Sequence, residues 1–545
     1  MSSRKPLPWP SWKAFRLILM LAFGVAPVAT LAALGTLLSG KRVRAWNRLC
    51  VLAQDHPGHY RYWSQYITML RKRDFVEDAA LVPDLAFSLI VQVGAEPLDE
   101  ALARLERQGK QWAVFHGPED HLDPDLATVL AGALWRFPDT TLFYWDEEWL
   151  LQDGELTPWI KPDWSERLHM SRDFLTGASA VRVADARAAL SGRKDLLTDK
   201  AGLTMLALAL QARGQQPRHL PLVLTRRNAP EAELTNWVQM AQQVWPDWQI
   251  ALRTDVIPFL RVTPPDPTSW PTVTAIIPTR DRVDLLRACL GGLTRADYPG
   301  EIEIIVVDNG STEPASLAYL AAIETAGTAR VIREFGPFNF SRLNNRATVA
   351  ATGDFLCLLN NDVEALEPDW LTAMMRHAVQ PDVGAVGAQL LYPDGFIQHA
   401  GVAIGVGNAA GHIQRGVDPE SNEHAGWHAV TREITAVTAA CLLVAKAHYE
   451  AVGGLDEDGF AVAFNDVDFC MKLDALGLAN IYCAEARLIH AESRSRPSDH
   501  RPDQIARFER ELALLQSRWH TLGFNDPRFS PLFSRSSERC LLRAA

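Results

Sequence analysis

The run VTAIIPT, Val273 to Thr279, followed by RVDLLRACLGGL, Arg282 to Leu293, and EIEIIVVD, Glu301 to Asp308, decides the fold. The first and last pieces are short apolar stretches rich in β-branched residues, and the middle piece has apolar residues at helical spacing. Strand, helix, strand in that order predicts a parallel pair. Working outward, GDFLCLLN (Gly353 to Asn360) reads as a third strand, PDWLTAMMRHA as a helix and VGAVGAQLLY as a further strand. The expectation is an α/β domain of doubly wound type, built on a parallel sheet.

Upstream, RVTPPDPTSWP (Arg261 to Pro271) packs four prolines into eleven residues and reads as a linker. The half before it repeats part of the order. FSLIVQV (Phe87 to Val93) is a strand, a helix follows, and then comes WAVFHGPED with LDPDLATVLAGALWRFPDTTLFYWDEE. Set against LLNNDVEALEPDWLTAMMRHAVQPDVGAVGAQL, Asp120 falls opposite Asp362, Pro124-Asp125 opposite Pro368-Asp369, and Pro138-Asp139 opposite Pro381-Asp382. A duplication is expected. The first copy is shorter: 19 positions separate Val93 from Trp112, whereas 76 separate Thr279 from Phe355. It therefore lacks a strand and a helix.

The chain has 545 residues, 48% hydrophobic and 22% charged, the balance of folded globular domains. With 54 basic against 65 acidic residues the formal net charge is −11, which gives no overall basic field for a phosphate backbone; no nucleic-acid partner is expected. Seven cysteines without a CxxC pair point to a reducing compartment. Leu17 to Ser39 carries no charge for 23 residues, about the length of a membrane span. It is too long for the core of a cleavable signal peptide, and a buried core helix is the competing reading. Basic residues flank both sides (Arg4, Lys5, Lys13, Arg16; Lys41, Arg42, Arg44, Arg48), so orientation is not fixed, and Pro27 allows a kink or hairpin. The expectation is a membrane anchor with the catalytic half in the cytoplasm.

In an open α/β sheet, ligands bind beyond the carboxyl ends of the strands. Three polar clusters sit there: Pro278-Thr279-Arg280-Asp281-Arg282, Asp308-Asn309-Gly310-Ser311 and Asn360-Asn361-Asp362. Each alone is equally a turn, since Asp, Asn, Gly and Ser favour turns. Asn465-Asp466 opens a helix-like run, where Asp466 is either a helix cap or a reactive carboxylate. His490 ends a strand-like run that delivers Glu492, Ser493, Arg494 and Arg496. It reads three ways: structural, metal ligand or donor to phosphate. His399 and His412 lie in a Gly-rich stretch and are taken as acceptor-site candidates.

The ordered set resembles the family 2 glycosyltransferases of the GT-A fold, a Rossmann-like nucleotide-diphospho-sugar transferase fold. The resemblance rests on FNFSRLNNRA, LLNNDVE, IQHAGVAIGVG, AVTAACLLV, GGLDE and FNDVDFCMKL, phrases similar to a bacterial surface-polysaccharide, rhamnosyltransferase-like branch. The first half, with YWDEE and KPDWSERLHMSRDFLTG, looks like a truncated, degenerate glycosyltransferase-like module. The implied layout is a basic flank and apolar helix (1–50), the degenerate module (51–260), the linker (261–271), the catalytic domain (272–500) and a helical tail (501–545). By the same resemblance Pro278, Thr279, Arg280, Asp308, Asn345, Asn360 and Asn361 hold a nucleotide-sugar donor. Asp362, with His490, binds Mg²⁺ or Mn²⁺, and Asp466 is the base of an inverting transfer to a glycan or lipid-linked glycan. Asn360 stands where relatives carry Asp, which removes one charge from the metal site.

The residue types suit that chemistry. Loss of a nucleoside diphosphate develops negative charge that a divalent ion on hard oxygen ligands neutralises, and the attacking hydroxyl needs a base on the opposite face. A nucleotidyltransferase is the enzymatic rival, but neither GxxxxGK followed by Ser or Thr nor GxGxxG occurs. A non-catalytic scaffold is the second rival. A processive synthase is the third, and Gln516-Ser517-Arg518-Trp519 is one residue short of its QxxRW pattern.

Overall fold

The computed structural model describes residues 12–39, 42–54, 56, 59–81, 87–91, 96–151, 154–191, 193–228, 235–254, 258–421, 423–491 and 502–543. It divides into two compact units. The first comprises 1–164, 172–240 and 530–545, the second 165–171 and 241–529.

In the first unit the uncharged N-terminal run forms two helices, α1 (Trp12–Val25) and α2 (Pro27–Leu38). Ala26 leaves helical geometry, and Pro27, lacking an N–H, restarts the helix at its first position. Of 14 and 12 residues, they rise about 21 and 18 Å, short of the roughly 30 Å of a bilayer core. Among the described residues no helix is long and apolar enough to cross a membrane. The expected single span is thus corrected. Phe15, Ile18, Leu21 and Ala22 of α1 and Ala33 of α2 instead pack with Leu49, Cys50 and Ala53 of α3 (Arg42–Gln54).

The sheet of this unit contains β1 (Phe87–Val91), β2 (Trp112–His116), β3 (His121–Leu122), β4 (Leu142–Leu150), β5 (Ser179–Arg182) and β6 (Arg218–Asn228), in the order β1-β2-β5-β4-β6-β3. Two helices matter below, α4 (Leu126–Arg136) and α5 (Lys200–Gln211). Apolar residues of α4 and the strands form its core, Val129, Leu130, Phe143, Trp145 and Leu222 among them.

The sheet of the second unit contains β7 (Val273–Thr279), β8 (Ile302–Asp308), β9 (Arg330–Arg333), β10 (Phe355–Leu359), β11 (Val363–Ala365), β12 (Val383–Leu391), β13 (Cys441–Ala445) and β14 (Ala479–His490). Their order is β9-β8-β7-β10-β13-β12-β14-β11. Every residue of β7, β10 and β12 is buried, as a strand covered on both faces requires. Helices α6 (Val283–Thr294), α7 (Phe340–Ala350), α8 (Trp370–Ala378), α9 (Asn465–Ala475) and α10 (Pro502–Trp519) complete the parts used here.

The parallel order expected from the sequence holds for β7, β8, β9 and β10. It ends where β13 inserts antiparallel between β10 and β12, so the sheet is mixed. An apolar run reports burial and not direction, which is why the reversal was not legible. The two sheets also share a plan. Stripped of β9 and β8, the second reads β7-β10-β13-β12-β14-β11, position for position the order of the first. The pairing senses agree at every step.

Two boundaries differ from the expected layout. Arg261 lies in a hairpin strand, Phe259–Thr263 paired with Gln249–Arg253, so the proline-rich connection starts after it. The helical tail does not stand apart: α10 belongs to the second unit and 530–545 to the first.

Candidate active site

The site forms at the carboxyl ends of β7, β8 and β10. Thr279, the last residue of β7, is buried; its carbonyl accepts from the Asn309 amide at 2.9 Å and its Oγ1 from Asn361 Nδ2 at 3.0 Å. These two bonds tie all three strand ends together. Pro278 is buried within the strand, whereas Arg280 is exposed beyond it. Asp281 and Arg282 follow in the left-handed region (φ 53° and 52°), and Asp281 Oδ1 accepts the Thr312 and Glu313 amides. Gly310, at φ 76°, turns the chain after Asp308 where a Cβ would strain the backbone. Asp308 is wholly buried: one oxygen accepts the Ser311 amide at 2.9 Å and the other Arg333 Nη1 at 2.7 Å. Arg333 was not singled out from the sequence, because a cation on a short edge strand reads as a solvated one.

After β10 the chain turns through Asn360 and Asn361 to Asp362. β11 pairs antiparallel with the end of β14, placing Val363 opposite His490. His490 Nε2 then lies 3.2 Å from Asp362 Oδ1 and 3.3 Å from Asn360 Nδ2. Nδ1 of the same ring meets Gln398 Oε1 at 2.7 Å, and because an amide oxygen only accepts, Nδ1 carries the proton. Nε2 and the Asp362 carboxylate thus share one corner, where a neutral ring of this tautomer presents its Nε2 lone pair beside the carboxylate. That suits a cation between them: cis ligands on an octahedral ion with bonds of about 2.1 Å sit about 3 Å apart. The donor set of one carboxylate and one imidazole fits a divalent ion that takes its other ligands from diphosphate and water.

Gln398 was missed by the sequence reading, which chose His399 beside it. Successive residues of a strand face opposite sides, and here Gln398 faces the site. His399 is fully buried, with Nδ1 2.9 Å from His412 Nδ1. Burial, then His412, His490 and Arg432, hold its pKa well below the ordinary value. It cannot touch an acceptor, which corrects that expectation; His412 is half-buried.

Asn345, expected at the donor, is also reassigned. Its Nδ2 donates to the Leu455 carbonyl at 2.8 Å and Glu457 Oε2 at 3.2 Å, and its Oδ1 accepts from Tyr449 at 2.6 Å and the Leu455 amide at 3.1 Å. With every polar atom engaged, Asn345 holds the 455–457 turn.

Asp466 stands in the first turn of α9, half-buried, its Oδ2 accepting the Ala439 amide at 3.1 Å and its Oδ1 the Val467 amide at 2.9 Å. The neighbouring Ala440 carbonyl accepts the Asn360 amide at 2.9 Å. The segment 439–440 therefore joins Asp466 to the Asp362 corner. Asp468, two residues on, is fully buried and bound by Arg518 and Trp519, so its replacement is no neutral control for Asp466. Residues Glu492, Ser493, Arg494 and Arg496 lie outside the described residues.

Away from this edge, His377, Cys483 and Glu485 cluster closely enough for a metal ion. Glu485 is already engaged by Thr431 and by Arg261, a permanent cation that opposes a second one.

The chain is similar in sequence to known proteins. Residues 274–441 match Glycosyl transferase family 2. An uncharacterized protein of Sinorhizobium fredii is 34% identical over 76% of this chain and 47% of its own length. The O-antigen biosynthesis protein RfbC of Myxococcus xanthus is 32% identical over 79% of this chain and 34% of its own. The chain thus spans less than half the length of these two relatives. The N-acetylglucosaminyl-diphospho-decaprenol L-rhamnosyltransferase of Mycobacterium tuberculosis is 24% identical over 36% of this chain and 69% of its own. The three strand ends and Asp362 lie inside the segment similar to glycosyltransferase family 2, and the helix-borne Asp466 follows it in the same unit.

Proposed function

We propose that the second unit transfers a glycosyl group, with inversion, from a nucleotide-sugar donor to a hydroxyl of a glycan acceptor in surface-polysaccharide synthesis. The observation that carries this reading is the bridged pair of acidic corners. Asp362 faces Nε2 of His490 at 3.2 Å, and a half-buried Asp466 lies one short backbone segment away. Thr279, Arg280, Asn360 and Asn361 line the donor side. Asp308 acts from beneath, fixing Arg333 and the Gly310 turn. Asp362 and His490 would hold Mg²⁺ or Mn²⁺, which, when bound, neutralises charge developing on the diphosphate. Asp466 takes the proton of the attacking hydroxyl; two backbone amides fix its carboxylate at the start of α9. The O-antigen and rhamnosyltransferase relatives support a lipid-linked glycan acceptor and a nucleotide-activated deoxysugar.

The first unit, on this reading, is a truncated copy of the same fold without turnover. Exposed Trp12, Met20, Val28, Leu31 and Leu38 on α1 and α2 support a peripheral seat on the cytoplasmic face of a membrane, near such an acceptor. Flotation with anionic-lipid vesicles, lost when Val28 and Leu31 become Ser, tests that seat.

The deciding experiment is a panel of nucleotide sugars, a nucleotide-activated rhamnose first, scored by release of nucleoside diphosphate. Turnover lowered at least about tenfold by chelator and about 10²- to 10⁴-fold by Asp466→Asn is expected. Nucleotide-sugar binding without turnover would favour a scaffold, and release of pyrophosphate a nucleotidyltransferase.

A further inference from the structure

Helix α10 lies beyond the residues that match the family, yet it grips the segment leading into Asp466. Asp466 and Asp468 are two residues apart on α9, so they point about 200° away from each other. Asp466 faces the Ala439 amide; Asp468, fully buried, turns to α10 and accepts from Arg518 Nη1 at 2.8 Å and Trp519 Nε1 at 2.9 Å. The second guanidinium nitrogen of Arg518 reaches Asp456 Oδ2 at 2.8 Å, and its plane covers the Phe460 ring at 5.1 Å. Glu511, also buried, accepts the Val462 and Ala463 amides at 3.2 and 2.9 Å. Phe508 packs on Phe464, which sits at φ 61° immediately before α9. From the other side Asn339 and Ser341 donate to the Glu457 and Phe460 carbonyls, and Asn345 holds Leu455.

We propose that Glu511 and Arg518 are positioning residues for the transfer reaction: α10 clamps the 455–468 segment and thereby sets the direction of the Asp466 carboxylate. Glu511 fixes the two amides just ahead of the left-handed Phe464. Arg518 crosslinks the beginning of the segment, at Asp456, to the far face of the helix that carries the base. Neither group reaches the site; both act through Asp466, so this inference rests on the role of Asp466 proposed above. A base displaced by about 1 Å can cost roughly 10²-fold in rate without weakening substrate binding.

The test uses the full chain and the nucleotide sugar giving the fastest diphosphate release in the panel. Glu511→Gln and Arg518→Ala should each lower kcat roughly 10- to 100-fold while KM for the nucleotide sugar stays within about twofold. Arg518→Lys, which keeps one carboxylate contact, should recover part of the loss. On an Asp466→Asn background the same substitutions should cost less than about twofold more, because the group they position is gone. Hydrogen exchange across 455–468 should quicken in both variants, a readout that needs no donor. Unchanged exchange, an unchanged kcat, or an undiminished further loss on the Asp466→Asn background would each overturn the clamp. If Arg518→Ala does not fold, Glu511→Gln and Arg518→Lys carry the comparison. A wild-type rate for Asp466→Asn itself would instead overturn the proposed base.

Discussion

The corner before β3 in the first unit and the corner before β11 in the second are built to the same plan and end in opposite chemistry. Each is an Asp, Asp120 or Asp362, at the start of a short strand paired antiparallel with the end of a long one. The register position that holds His490 in the second unit holds Arg226 in the first. Arg226 pairs with Glu148, and its neighbour Arg227 brings a guanidinium to Asp120 at 3.6 Å and Glu147 at 3.3 Å. An imidazole can turn a lone pair toward a carboxylate and leave room for a cation, whereas a guanidinium is always charged and has no lone pair to give. One corner can hold a metal. The other is neutralised by the protein itself.

The rest of the first unit's acidic strand end follows suit. Glu147 and Lys161 form a buried pair at 2.5 Å, and Asp146 accepts the Lys161 amide at 2.8 Å and meets His219 Nε2 at 3.0 Å. Asp146, Glu147 and Glu148 are buried and internally paired. Where the second unit begins α9 with Asn465-Asp466, the corresponding α5 begins after Asp199, whose side chain accepts the Gly202 amide as a cap. The lesson is that two sheets can share strand order and pairing sense while the donor set, a few side chains at strand ends, differs.

The comparison breaks most sharply at Asp466. Asp466→Asn should lower transfer by about 10² to 10⁴ with donor affinity kept; a near-wild-type rate removes the asserted difference between the units. Breaking the buried Glu147–Lys161 pair by Lys161→Met should cost the first unit about 1–3 kcal/mol in urea unfolding, since Glu147 keeps Arg227 as a cation while the buried Phe174 carbonyl loses its lysine donor. A cost under about 1 kcal/mol would mean that the strand end is solvated after all. Asp362→Ala, or chelation, should lower diphosphate release by at least about tenfold with unchanged far-UV circular dichroism; full activity in chelator would make the corners alike in lacking metal.

The pH dependence should separate the units. Burial holds His377 in the second unit, and burial with His56 holds His59 in the first, at about 4. A histidine kept neutral in the fold stabilises above its ordinary pKa near 6.5, so both units should weaken as pH falls from about 6.5 to 4. His219 behaves oppositely. Burial pushes it down, but Asp146 and Asp163 prevail and raise it, so its contribution is whole below pH 6.5 and fades as pH rises through the raised value. Hydrogen exchange resolved by unit should show the first unit alone loosening above neutral pH, and His219→Gln should abolish that. The smallest effect belongs to Asp120→Asn, which should leave turnover within a few-fold; a complete loss with the fold intact would place the active centre in the wrong copy.

How far the sequence reaches can be judged from particular residues. The strands at Val273, Ile302 and Phe355 and the helices at Val283 and Trp370 were legible because full burial leaves unbroken apolar runs and amphipathic burial leaves a helical period. The likeness of the two strand plans was legible from the spacing of Asp and Pro pairs. The clusters at Thr279, Asp308, Asn360 and Asp466 were legible because strand and helix ends are where polar residues interrupt those patterns.

What the amino-acid order alone determined, then, is which segments are strands and helices, that the plan occurs twice, and which ends carry polar groups: all consequences of local periodicity. Tertiary structure alone decided the rest. It reversed β13, folded the Leu17–Ser39 run back on α3, turned Gln398 instead of His399 toward His490, and closed Asn345 into a turn. It also brought α10 under Asp468 from 50 residues away. Each of these depends on groups far apart in the chain competing for the same space or the same hydrogen bond, and no local pattern records the outcome of that competition.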